Sequence, residues 1–252
     1  MIDVPGAAPR GGGGPVPSLA MPGSSLVDDI ALPPRRKASE RIPAALLLAD
    51  WVAGEEERGD GLALVAELRE LLRGHGVASA VPRVPSGADP ASLIAAVERA
   101  ITRLAEDDAV MRNGIGLIGF GHGAALACLL GARSDVRCVA LVGPVSVEVA
   151  ARRLDRSGDI AADRENMIRG LAALQPLKAL ASAAPRPVLI LRGAADERHA
   201  ADHAIGMAMA LSLDGRPLER CEVAFGDQAL GDASVRAAVA ERLATFVLGS
   251  GS

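Results

Sequence analysis

Gly114 to Ala132 reads G-I-G-L-I-G-F-G-H-G-A-A-L-A-C-L-L-G-A, and no other stretch narrows the fold as much. The apolar run Ile115 to Ile118 is too short for a helix and suits a buried strand. Glycines follow at 119, 121 and 123, and then an alanine-rich apolar run that reads as a helix buried on most sides. Strand, glycine turn and buried helix form the setting in which a G-x-S-x-G sequence lifts a serine onto a sharp turn. Here the five residues are Gly119-Phe120-Gly121-His122-Gly123, so the frame is present and its centre is a glycine.

The rest of the chain alternates in the same way. Ala44 to Ala49 is an apolar run of strand length, and a loop with Asp50, Trp51 and three glutamates follows it. Leu64, Leu68, Leu71 and Leu72 recur at helical spacing, and Gly74 and Gly76 close that helix. Val77 to Val84 reads as a strand. Asp89-Pro90 then starts a helix, with the carboxylate as N-cap and proline at the first helical position. Val136 to Val142, Pro187 to Leu191 and Arg220 to Phe225 are further strands, and a helix is expected from about Ala200 to Leu213. The last helix carries Val235, Val239, Leu243 and Phe246 on one face. A weak strand is expected over Leu26 to Leu32. This alternation predicts an α/β fold, a mostly parallel sheet with helices on both faces. The charged, then helical, region 146–184 breaks the rhythm and reads as a short helical lid inserted into the domain of residues 25–248. Residues 1–24, rich in glycine and proline, read as a disordered arm, and 249–252 as a linker-like tail.

Composition limits the function classes. The chain has 252 residues, 50% of them hydrophobic, which suits one sizeable domain. Its net charge is -4 and aromatics make up 2%, which speaks against nucleic acid as a partner and against stacking platforms for bases. No apolar stretch reaches the roughly 20 residues of a membrane span, and no basic region with an apolar core opens the chain. Cys128, Cys138 and Cys221 lie far apart without metal-ligand spacing, as expected of reduced, buried thiols in a cytoplasmic protein. No metal and no cofactor is expected.

Three segments together resemble the α/β-hydrolase superfamily, its dienelactone-hydrolase-like and small-esterase branch. They are the elbow frame G-F-G-H-G-A-A, the segment A-P-R-P-V-L-I-L-R-G-A-A-D-E, and V-A-F-G-D-Q-A-L before the last helix. The resemblance covers about residues 26–248. It implies a nucleophile at position 121, an acid at 196 and a histidine near 228. The chain has Gly121, Asp196 and Gln228 there, and no histidine follows His203. The family's His-Gly after its first core strand is replaced by Asp50-Trp51.

Glycine offers no nucleophile, and a glutamine amide cannot act as a base near neutral pH. The reading is therefore a catalytically inactive member, a pseudoenzyme that binds a ligand or assembles with a protein partner or with its own copies. Gly121 also escapes the strain that an ordinary residue meets at an elbow. Backbone N–H groups of His122 and Gly123 are expected to stay open to a small carbonyl or anionic ligand, with Asp50, Trp51 and Phe120 bordering the pocket. One alternative is an active ester or dienelactone-type hydrolase with a rearranged site built on His122, His199 or Ser146. A second is a dinucleotide-binding domain, since Gly119-x-Gly121-x-x-Ala124 fits a loose G-x-G-x-x-A pattern. His199 and His203 stand one helical turn apart but lack a third metal ligand. Cys128 lies two turns past the elbow and is expected in the core.

Overall fold

The computed structural model describes residues 30–34, 39–51, 55–84, 87–157, 161–184, 186–193, 201–212, 218–223, 230 and 232–250. Among these residues six strands form one sheet in the order β2-β1-β3-β4-β5-β6, every neighbouring pair parallel. They are β1 (Ile42–Leu48), β2 (Ala78–Ala80), β3 (Val110–Phe120), β4 (Val136–Val142), β5 (Val188–Gly193) and β6 (Leu218–Val223). This order differs from the 3-2-1-4-5-6 order of a dinucleotide fold, so the loose glycine fingerprint has lost its structural context.

β1 is apolar and buried along its whole length, and β3 from Ile115 onward, because helices cover both faces. Alternate residues point to opposite sides. Ala44, Leu46 and Leu48 of β1 face one core together with Leu93, Val97 and Ile101 of α2 (Pro90–Glu106) and with α3 (Gly123–Leu130). Ala45 and Leu47 face the other, with Leu68 and Leu72 of α1 (Glu55–Gly74) and Val239, Leu243 and Val247 of α8 (Ala233–Gly249). Each fully buried Leu, Ile or Val contributes about 1.5–3 kcal/mol, so these two layers supply most of the driving force for folding.

Local signals act where the residues predict. Asp89 caps α2 through a 2.7 Å bond from the Ser92 amide, with Pro90 at the first position. Gly76 closes α1 at φ +85°. Of the weak strand expected over Leu26 to Leu32, residues 26–29 lie outside the described residues, and the remainder makes one antiparallel bridge, between Ala31 and Ser79. One expectation needs correction. The strand expected to begin at Ile115 begins at Val110. β1 pairs with Val110 through Ile42 and then shifts register to Ile115 across an irregularity in which Asn113 has φ +53°.

The 146–184 stretch holds α4 (Val147–Ser157), α5 (Ala162–Ala173) and α6 (Pro176–Ser182). Leu154 and Ile168 join α4 to α5 in a small cluster of their own, whereas Val147, Leu171 and Leu180 belong to the α2/α3 core. α7 (Ala201–Ser212) packs into that same core through Met207 and Leu211. No helix among the described residues is long and apolar enough to cross a membrane.

Candidate functional site

β3 ends at Phe120 and α3 begins at Gly123, so the chain reverses within two residues. That turn has a crossing of backbones at its heart. A Cβ on Gly119 would stand 2.7 Å from the Ala124 nitrogen, and one on Gly123 would run into the Leu48 carbonyl at the end of β1. Gly121 sits at the tip with φ +53°, the left-handed conformation in which an L side chain is strained. Its N–H donates to the Val142 carbonyl at 3.1 Å, and its carbonyl accepts from Val145 at 3.0 Å and Ala124 at 3.3 Å. The elbow is thus pinned to the end of β4.

The loop after β1 fills the place that Gly121 leaves empty. A Cβ on Gly121 would collide with the Asp50 carboxylate, whose Cγ would lie 3.0 Å away. Asp50 Oδ2 accepts the His122 N–H at 3.2 Å, and the two carboxylate oxygens lie 3.1 and 3.0 Å from His122 Nδ1. The pair is withdrawn from solvent, with side-chain exposures of 20% for Asp50 and 8% for His122. A carboxylate on Nδ1 fixes the neutral imidazole with its proton there and leaves Nε2 as the basic nitrogen.

This arrangement corrects one expectation. The His122 N–H is not open to a ligand oxygen, because the chain places its own anion on it. The physics behind the expectation holds: the start of α3 favours negative charge. The occupant is Asp50, admitted because Gly121 has no side chain. Phe120 is also corrected as a pocket-lining residue, since it is buried in the α1/α8 core. Trp51 is half-buried and packs against both cores at the edge of the sheet.

Other candidates fall into two groups. Asp196, His199 and Gln228 lie outside the described residues. Ser146 and His203 do come together, but not as a nucleophile and its base. The Ser146 hydroxyl donates to Glu148 Oε2 at 2.8 Å and accepts the Val149 N–H at 3.3 Å, as an N-cap of α4 does. His203 Nδ1 accepts the Ser146 backbone N–H at 3.1 Å instead. Cys128 is fully buried, and burial, reinforced by the Glu148 charge, pushes its thiol far up, which removes it as a nucleophile. Burial also pushes Cys138 up to about 11. Among the described residues no three His, Cys, Asp or Glu side chains cluster as metal ligands.

The sequence pointed to Asp50 as a departure from the resembled family's His-Gly and as a residue bordering the pocket, not as the partner of His122. Its partnership with Gly121 and His122 joins residues some 70 positions apart. The composition alone carries no such signal.

No protein-family profile and no curated protein matches the chain. Its fold is nonetheless similar to solved esterases. Est1E from Butyrivibrio proteoclasticus superposes with a TM-score of 0.66 at 15% identity, over 84% of this chain and 89% of that one. The esterase domain of a Rhodothermus marinus protein gives 0.65 at 17%, over 87% and 91%. The thermophilic esterase Est2 of Thermogutta terrifontis gives 0.64 at 20%, over 88% and 86%. The chain therefore has an α/β-hydrolase fold, as its three quoted segments imply.

Proposed function

We propose that this chain is an α/β-hydrolase-fold protein that forms no acyl-enzyme at its elbow and acts as a binding or assembly subunit. One observation supports the reading above the rest. The Asp50 carboxylate takes both the space of a nucleophile's side chain and the His122 N–H that would stabilise an oxyanion. A tetrahedral intermediate at that place would meet a negative charge instead of a donor. Loss of one such donor alone costs about 10²–10³ in kcat. A short-chain chromogenic ester and a serine-directed fluorophosphonate test this directly. The expected result is no burst of product and no covalent label; a burst with stoichiometric labelling sinks the reading. For the assembly role, the expected outcome is a protein that co-purifies with the full chain and is lost on deleting residues 1–24.

A second reading is an active ester hydrolase with a rearranged site, and the comparisons favour it over a binding role, since the neighbours quoted above are esterases by title. In it, the imidazole of His122, oriented by Asp50 through Nδ1, takes a proton from water at Nε2, and that water attacks the ester carbonyl. This route has no covalent intermediate. It predicts ester turnover without a burst, abolished in His122→Ala and reduced in Asp50→Asn. Turnover that survives both substitutions excludes it.

A further inference from the structure

We infer that the groove between α4, α6 and α7 binds a medium-chain organic carboxylate, an anionic head on a short apolar body. The groove encloses about 530 Å³, the size of a small-ligand site. None of Asp50, Trp51, Phe120, Gly121 or His122 lines it, so the inference goes beyond the elbow and does not rest on the reading given for it. Its apolar lining comes from Leu177, Ala181, Met207 and Ala210. Gly206 keeps the wall low, because a Cβ there would point into open space.

Charge at the groove decides the class of ligand. Arg152 on α4 and Lys178 on α6 both line it and are both exposed. Neither forms an ion pair or hydrogen bond with any described residue. Glu148, the one carboxylate among the described lining residues, is already engaged: Oε2 accepts from the Ser146 hydroxyl at 2.8 Å and Oε1 from the Leu177 amide at 3.5 Å. The Ser146 bond fixes the Glu148 side chain at the start of α4, and the Leu177 bond ties α4 to α6. His203, 4% exposed, accepts from the Ser146 N–H at Nδ1, which places the proton of the neutral ring on Nε2 and makes that nitrogen a donor. Two unengaged cations over an apolar floor match an anion with a hydrocarbon body. A guanidinium and an ammonium pair with a carboxylate head, while Met207 and Leu177 adapt to the chain behind it.

Titration calorimetry of the full chain with sodium octanoate tests the assignment, with octylamine as the reversed-charge control. Saturable one-site binding of octanoate is expected, with octylamine weaker by at least about tenfold. The double variant Arg152→Glu, Lys178→Glu should weaken octanoate by at least about tenfold as well. Gly206→Phe, which fills the groove from a position open to solvent on a helix, should abolish binding while circular dichroism shows an unchanged fold. Asp50→Asn should leave the affinity unaltered. The assignment is overturned by an absence of saturation at millimolar octanoate, by equal binding of octylamine, or by an affinity that falls with Asp50→Asn or His122→Ala and not with the groove variants.

Discussion

The elbow and the α4/α6/α7 groove lie in the same domain and treat polar groups in opposite ways. At the elbow the backbone of Gly121 and the amide and Nδ1 of His122 have internal partners. Gly121 is bonded on both sides, and His122 gives its amide and Nδ1 to Asp50. At the groove, Glu148 is engaged, but Arg152 and Lys178 have no partner among the described residues. The contrast extends to space. Gly119 and Gly123 at the elbow are packed against backbone and Gly121 against the Asp50 side chain, whereas Gly206 faces nothing within 4 Å. The place where an α/β-hydrolase fold displays its nucleophile is filled here by the Asp50 carboxylate, and the unengaged charges stand on α4 and α6. Position in a fold is thus a weaker guide to function than the state of the groups found there.

Substitutions can break or sharpen this contrast. Gly123→Ala should have the largest effect, because its methyl group would meet the Leu48 carbonyl, which has no flexible end to move aside. A loss of about 3 kcal/mol or more in urea unfolding is expected. Gly121→Ser restores the family's residue, yet it should destabilise by roughly 2–4 kcal/mol, from positive φ together with overlap on Asp50. It should also fail to create esterase activity. Adding Asp50→Ala should recover part of that loss, a coupling that a double-mutant cycle measures. If the two effects simply add, the carboxylate is not what fills the space.

Asp50→Ala alone should cost about 1–3 kcal/mol by leaving the His122 amide and imidazole without their acceptor. It should also open the start of α3 to an outside anion. Propionate is then expected to raise the Tm of this variant and leave that of the parent protein unmoved; equal protection of both would contradict an occupied elbow. Gly206→Ala should have the opposite sign, a gain of about 0.5–1 kcal/mol from helix propensity at a site with room to spare.

The smallest effect concerns the scaffold that both regions share. Asp89 is held below 3.8 mainly by the Ser92 amide, and Asp232 mainly by the Ser234 hydroxyl. A lowered carboxyl contributes stability above its unfolded value and loses it as the pH falls through its folded value. The caps of α2 and α8 therefore weaken below pH 3.8. Changing both residues to Asn keeps the caps without the titration, so the acid midpoint should move slightly lower while neutral-pH stability stays the same. An unchanged midpoint would remove these caps from the acid limb.

Much of the scaffold was legible without coordinates. The α2 cap at Asp89-Pro90, the stripe Val235, Val239, Leu243 and Phe246, and the glycine turn after β3 are local patterns whose physics lies within a few residues. The long start of β3 was not legible, because polar Arg112 and Asn113 interrupt the apolar run and pairing with β1 carries the strand through them. Phe120 looked like a pocket residue because it neighbours the turn; strand alternation sends it to the other face.

The absence of a nucleophile at position 121 and of any histidine after 203 is a property of covalent chemistry, and the order of residues alone determined it. What takes the vacated space was decided by tertiary structure. Asp50 and His122 stand 72 positions apart, and only the parallel pairing of β1 with β3 brings their loops to the same edge of the sheet. The groove arises in the same way, from three helices whose separate sequences carry no record of the space between them. Local preferences act over a few residues, whereas an occupied hole or an unengaged pair of cations exists only after distant segments have met.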